Sequence, residues 1–320
     1  MKIAILDDYQ DVVRDLDCFS LLNDHEVTIY TSPPVSRDEL VERLYDKESI
    51  VLIRERTEIN DSLLSRLPNL KLISQTGKIS NHIDMDACNK HHVAVAEGEG
   101  SPVAASELCW SLILAASRHL VPYSSNLRNG FWQDSGTSGL GRTVSGLTIG
   151  IWGYGRIGQR IAQYAKAFGM NVLVWGSTES REKAASHGFC AAATKQDFFS
   201  TADILSLHLR LNDATRGCVT YDDLQSMKND ALFVNISRAE LIEPDALYHS
   251  LSEGRPGSAA MDVYDKEPAS PSDEPLLNMP NVLCSPHIGF VERNSYQLYF
   301  KVAFGNLVSF SNGDPKNIVT

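Results

Sequence analysis

One short stretch restricts the possible folds more than any other. Leu147-Thr148-Ile149-Gly150-Ile151-Trp152 reads as a fully buried strand. It runs into Gly153-Tyr154-Gly155-Arg156-Ile157-Gly158, and residues 159–168 then follow a helical pattern. A G-x-G-x-x-G triplet alone is weak evidence. Placed between a strand and a helix, it is the turn that receives a dinucleotide pyrophosphate. Gly153 permits the tight turn, Gly155 lets the backbone approach the phosphates, and Gly158 lets helix and strand pack closely. The helix N-terminus then directs N–H groups and a positive dipole end at the anion. Such a turn needs a parallel sheet around it.

That sheet is written in the rest of the chain. Residues 2–7, 25–30, 50–53 and 70–75 read as short strands, with amphipathic helices over segments such as 36–45 and 61–67. A long apolar helical run spans 102–119, and a Gly/Ser-rich stretch covers 130–146. A second series of strands is expected at 147–152, 171–175, 203–209, 231–236, 258–263 and 281–284. Helices are expected at 157–168 and 245–253, and a last one at 294–310. Gly169 and Gly254 stand where helix C-caps want them. This alternation predicts two α/β units with parallel sheets and helices on both faces. A length of 320 residues suits about two domains.

The fingerprint also expects an acid at the end of the next strand, to bind the adenosine ribose hydroxyls. Here Val172-Leu173-Val174-Trp175 ends at Gly176, followed by Ser177-Thr178-Glu179-Ser180-Arg181. Gly176 replaces the ribose-binding acid, and Ser177, Thr178 and Arg181 suit a 2′-phosphate. The cofactor is therefore expected to be NAD or NADP, with NADP favoured. Glu179 binding the ribose is the competing reading.

Composition narrows the partners. Lys plus Arg is 29 and Asp plus Glu is 40, a formal charge of −11 with a pI near 5.3. An acidic surface repels nucleic-acid backbones but leaves room for a local small-anion pocket. None of the six cysteines forms a C-x-x-C pair, so neither a zinc site nor a disulfide framework is expected, and no metal is assigned. The scattered cysteines suit a reducing, cytoplasmic setting. The N-terminus meets acid too early for a signal peptide, and no stretch approaches about 18 apolar residues, so no membrane partner is expected.

Three polar residues lie just past expected strands of the second series: Arg238, Glu267 and His287. Open parallel sheets bind ligands outside the C-terminal strand ends. Carbonyl reduction needs a proton donor to the new alkoxide and a clamp for a carboxylate. A carboxylate beside a histidine favours the imidazolium, and arginine grips a carboxylate with two parallel hydrogen bonds. Each residue alone is ordinary; together with the glycine turn they point to a reductase.

These motifs resemble the D-isomer-specific 2-hydroxyacid dehydrogenase family, the phosphoglycerate dehydrogenase-like group, over nearly the whole chain. Residues 147–158 resemble its cofactor motif. Val234-Asn235-Ile236-Ser237-Arg238-Ala239-Glu240 resembles its arginine motif, Met261-Asp262-Val263-Tyr264-Asp265-Lys266-Glu267-Pro268 its glutamate motif, and Ser285-Pro286-His287-Ile288-Gly289 its histidine motif. The resemblance implies that Arg238 binds the substrate carboxylate and polarises the 2-oxo group. His287 would be the acid in reduction, held by Glu267. Asp262 would bond the nicotinamide carboxamide, and His208, Ile236, Arg238 and Gly289 would line the cofactor. Leu209-Arg210 departs from the family's apolar-proline step.

The resemblance further implies a Rossmann cofactor domain, residues 100–289, inserted into a smaller flavodoxin-like substrate domain of residues 1–99 and 290–320. Two crossings would form a hinge. The helix over 102–119 and the arm through Trp132 would make a homodimer, an ordinary core helix being the alternative. Gly77, in Gln75-Thr76-Gly77-Lys78-Ile79-Ser80, would offer backbone N–H groups to the substrate carboxylate. Lys78 departs from the family's small apolar residues, and either meets a second substrate anion or faces solvent. Arg54, in Ile53-Arg54-Glu55-Arg56-Thr57, is a substrate-facing candidate, with a salt bridge as its alternative. No residues remain for an added regulatory domain. The expected partner is a small 2-oxo or 2-hydroxy acid of phosphoglycerate, hydroxypyruvate or glyoxylate type. The alternative is a dinucleotide-sensing interaction protein of the corepressor type.

Overall fold

The computed structural model describes residues 1–319. Contacts divide the chain into two compact units, Met1–Ser101 with Val291–Thr320, and Pro102–Phe290.

The first unit is built on β1 (Lys2–Ile5), β2 (Glu26–Ile29), β3 (Ser49–Leu52), β4 (Leu72–Gln75) and β5 (Ala94–Ala96). They run parallel in the order β2-β1-β3-β4-β5, the flavodoxin-like arrangement. Ile3, Ile5, Ile50, Leu52, Leu72 and Ile73 are fully buried, as strands covered on both faces must be. β1 is shorter than expected because Asp7 takes a φ of +62°, which no strand tolerates. The chain end returns here. The helix Arg293–Ser311 packs on β4, where Ser74 donates to the Ala303 carbonyl at 2.9 Å. A two-residue strand missed by the sequence pattern, Ile318–Val319, adds antiparallel to β5.

The second unit has seven parallel strands. They are β6 (Thr148–Trp152), β7 (Asn171–Trp175), β8 (Cys190–Ala191), β9 (Ile204–Leu207), β10 (Leu232–Asn235), β11 (Ser258–Met261) and β12 (Val282–Cys284). Their order is β8-β7-β6-β9-β10-β11-β12, the doubly wound Rossmann order with one strand added. From β6 the chain winds outward to β7 and then back to β9 on its other side. The glycine turn therefore stands at the topological switch point, where open α/β sheets bind ligands.

Two apolar clusters cover the faces of this sheet. One is built on Phe198, Phe199, Phe233 and Leu241, the other on Cys109, Trp110, Ile113, Ile151 and Ile161. The helix Val103–Ser117 packs against the helix Arg156–Ala167, β10 and β11, and Trp110 meets Phe168 edge-on at 5.0 Å. That helix is largely a core helix of its own unit. The exposed apolar side chains lie beyond it, on Leu120, Val121, Leu127, Phe131, Trp132 and Leu140.

Candidate active site

The three fingerprint glycines are bare for different reasons. Gly153 has φ +98°, and a Cβ there would lie 2.6 Å from the His208 carbonyl oxygen. A Cβ on Gly158 would lie 2.1 Å from the Gly153 carbonyl oxygen. Protein packing demands both. Gly155 is different: a Cβ would meet nothing within 4 Å, although Gly155 caps the helix Arg156–Ala167. Nothing in the chain needs that space empty. It fits a pyrophosphate resting on the first turn of that helix, whose N–H groups have no intrahelical acceptor. Tyr154, expected at the cofactor, is buried instead, with its hydroxyl 3.0 Å from His187 Nδ1.

At the end of β7, Gly176 has φ +148° and Ser177 caps the helix Thr178–Ser186 by accepting from the Ser180 N–H at 3.2 Å. Arg181 lies in the first turn of this helix, its guanidinium 5.0 Å from the Trp175 ring centre. Hydroxyl groups, helix N–H groups and a cation thus share one strand end, and no carboxylate occupies its tip.

His208 follows β9, its N–H bonded to the Trp152 carbonyl at 2.8 Å, so it abuts the glycine turn. Its Nε2 lies 3.0 Å from Ser206 Oγ, which contacts Cys109 Sγ at 3.3 Å. Burial drives the His208 ring pKa down to about 3 and pushes the Cys109 thiol up to about 12, so both are neutral. The sequence pattern had no signal for Ser206 and Cys109, which are 97 residues apart.

The ends of β10, β11 and β12 lie side by side, with Asn235 paired to Met261 and Met261 to Cys284. Arg238 follows the first, Glu267 the second and His287 the third. Asn235 shapes the arginine turn, donating to the Arg238 carbonyl at 2.8 Å and accepting from the Ser237 N–H at 2.9 Å. Arg238 donates to the Ser237 carbonyl at 2.6 Å. His287 Nδ1 lies 2.6 Å from Glu267 Oε2, while Glu267 Oε1 accepts from the Tyr264 N–H at 3.0 Å. The carboxylate is fixed on both oxygens, and Nε2 is left as the imidazole nitrogen for proton exchange.

Asp262 is fully buried beneath this pair. Its Oδ1 accepts from the Ser285 hydroxyl at 2.6 Å and the Ile288 N–H at 2.9 Å, and its Oδ2 from the Gly289 N–H at 2.9 Å. Burial pushes its carboxyl above the ordinary value even against these donors. Asp262 thereby ties down the turn in which His287 sits at φ +50°, a conformation uncommon for a side chain of that size. Ile236 is buried beside this turn's neighbour strand.

In the first unit, Gly77 has φ +117° and lies under Arg54, since a Cβ on Gly77 would be 2.2 Å from Arg54 Nη1. Gly98 approaches the same turn so closely that its Cβ would be 2.4 Å from the Gly77 nitrogen. Arg54 pairs with Glu55 at 3.6 Å, and Lys78 pairs with Glu97. Among the described residues, no group of three His, Cys, Asp or Glu side chains is arranged to hold a metal ion, and no helix is long and apolar enough to cross a membrane.

Comparison with known proteins agrees with this geometry. Residues 110–289 match the family described as D-isomer specific 2-hydroxyacid dehydrogenase, NAD binding domain. The chain belongs to that family. It is 33% identical over 298 residues to glyoxylate reductase of Aeropyrum pernix, covering 91% of this chain and 87% of that one. It is 31% identical over 291 residues to D-3-phosphoglycerate dehydrogenase of Methanocaldococcus jannaschii. That alignment covers 90% of this chain but 53% of the archaeal protein, so the chain spans about half the length of that relative. Among solved structures, phosphoglycerate oxidoreductase from Vibrio cholerae O395 superposes with a TM-score of 0.96 at 60% identity, covering 98% of this chain and 99% of that one.

Proposed function

We propose that the protein transfers a hydride between NAD(P)H and C2 of a small 2-oxo acid, giving the D-2-hydroxy acid. The observation that carries this is the 2.6 Å Glu267–His287 pair at one strand end, in a unit whose switch point carries the open Gly155 cradle. Bound NAD(P)H supplies the two-electron hydride. Arg238 holds the substrate carboxylate and polarises the 2-oxo group. His287 gives one proton to the carbonyl oxygen as the hydride arrives and recovers it from solvent, while Glu267 holds the ring at 2.6 Å through Nδ1. In oxidation the same ring takes the proton. The Gly77 turn of the first unit, with Arg54 and Lys78 beside it, is assigned to the substrate. Arg238, Glu267 and His287 in one chain favour this enzyme over a dinucleotide-sensing interaction protein.

The Gly176 tip, the Ser177 cap and Arg181 support NADPH over NADH. Six free cysteines support a reducing, cytoplasmic setting. The exposed apolar arm supports a homodimer. The names of the relatives make glyoxylate, hydroxypyruvate and 3-phosphoglycerate the first substrates to try. The test is kcat/KM for a panel of 2-oxo acids with each cofactor. Turnover with NADPH preferred is expected. Turnover with NADH clearly preferred removes the NADP assignment, and tight dinucleotide binding without turnover of any 2-oxo acid removes the enzyme.

A further inference from the structure

The cations around Gly77 are not arranged as a cluster awaiting a second anion. Arg54 and Lys78 flank the turn, one lying over Gly77 and the other following it in sequence. Each is matched with a carboxylate of its own unit. Glu55 lies 3.6 Å from the Arg54 guanidinium. Glu97 holds Lys78 through Oε2 while Oε1 accepts the Ile79 N–H at 3.0 Å. Glu97 is itself locked beside the turn. The Gly98 N–H donates to the Gly77 carbonyl at 2.8 Å, and the Glu97 carbonyl accepts from Asn306 at 3.1 Å. The Glu97 carboxylate is 21% exposed, whereas Lys78 is 69% exposed. The carboxylate is thus the held partner and the ammonium the exposed one. The third cation, Arg56, donates to the Asp7 carbonyl at 2.6 Å and stacks over Tyr9 at 4.6 Å.

A phosphate ester brings a charge of about −1.5 to −2 and is recognised by arginine and lysine groups left without counter-charge. At this turn it would compete with Glu97 for Lys78 and with Glu55 for Arg54, and would stand beside two carboxylates. We propose that Glu97 and Glu55 are specificity-determining residues, which make the protein select a 2-oxo acid whose only charge is its carboxylate and reject a phosphorylated one. This deepens the dehydrogenase reading and rests on it, including the assignment of the Gly77 turn to the substrate. Glu97 carried no motif in the sequence, and 19 residues separate it from Lys78.

The test compares hydroxypyruvate with its 3-phosphate, using the intact protein with saturating NAD(P)H. Like-charge juxtaposition predicts kcat/KM at least about tenfold higher for hydroxypyruvate. Glu97→Gln keeps an acceptor for the Ile79 N–H and releases Lys78. It is expected to narrow that ratio about tenfold, through a lower KM for the phosphate ester, with the melting temperature nearly unchanged. Lys78→Ala leaves Glu97 uncompensated and is expected to widen the ratio. The inference is overturned if the wild type prefers the 3-phosphate, or if Glu97→Gln leaves the ratio where it was. If no 2-oxo acid is reduced at all, the dehydrogenase reading itself fails and this inference falls with it.

Discussion

At the scale of single residues, the glycines and the histidine pair separate stability from chemistry. Gly158→Ala forces a Cβ against backbone 2.1 Å away and is expected to cost about 1–3 kcal/mol by overpacking. Gly155→Ala meets nothing in the chain, so its melting temperature should stay near the wild type while dinucleotide affinity falls at least about tenfold. Thermal melts and fluorescence titration with NAD(P)H distinguish the two; equal affinity in Gly155→Ala would refute the cradle. His287→Asn removes the proton donor and should lower kcat roughly 10²–10⁴-fold with cofactor binding retained. Glu267→Gln keeps the ring in place but loses its counter-charge. A smaller loss of kcat, roughly tenfold to a hundredfold, is expected, because the carboxylate that faces the reacting ring is gone. An unchanged kcat would count against the pairing. The positions of these residues could be read beforehand because each sits in a contiguous motif. Asp262 was legible as a site residue too, but its three donors come from residues 285–289, and only the fold reveals that it anchors the histidine turn.

At the scale of elements, strand ends depend on side chains that tie neighbouring segments together. Asp203 precedes β9, accepts the Thr148 N–H at 2.8 Å at the start of β6, and pairs with Lys228 at 2.6 Å before β10. Burial alone would lift its carboxyl, but the Lys228 ammonium and the Thr148 N–H outweigh this and hold it below the ordinary 3.8. A depressed folded-state value contributes stability above the ordinary one, and that contribution is lost as pH falls through the depressed value. Asp203→Asn keeps an acceptor for Thr148 but loses the ion pair, so about 1 kcal/mol is expected to be lost at neutral pH, limited by solvent around Lys228. The difference from wild type should shrink in denaturant melts as pH falls below 3.8 and on through the depressed value. A difference independent of pH would mean the charge plays no part. The strands with buried four- or five-residue runs were readable from sequence. β5, β8 and the strand at 318–319 were not, since two or three residues carry no period; β12 is as short but was expected at 281–284.

For the whole molecule, exposed apolar side chains gather in the arm that follows residue 119. Six large apolar side chains between Leu120 and Leu140 are exposed, Trp132 at 77%. Large apolar side chains left exposed together are the kind of surface that marks an interaction site. Sedimentation equilibrium is expected to give twice 35.3 kDa, and Trp132→Asp to shift the distribution toward monomer. A wild-type mass of 35.3 kDa would overturn the dimer. The apolar run over 102–119 could not separate an interface helix from a core helix, because both show the same period. The structure turns Cys109, Trp110, Leu112 and Ile113 into the core of the unit and leaves the exposed apolar surface to the following arm.

The sequence by itself determined the fold class, the glycine turn and the order of the Arg238, Glu267 and His287 motifs. Those features are local: a period, a turn or a contiguous motif is complete within a few residues. Only the tertiary structure decided which charges meet. Lys78 with Glu97, Arg54 over Gly77 and Cys109 with Ser206 join residues from separate segments. Nothing short-range in the chain encodes such pairings. They arise only when the folded sheets and helices bring distant segments of the chain into contact.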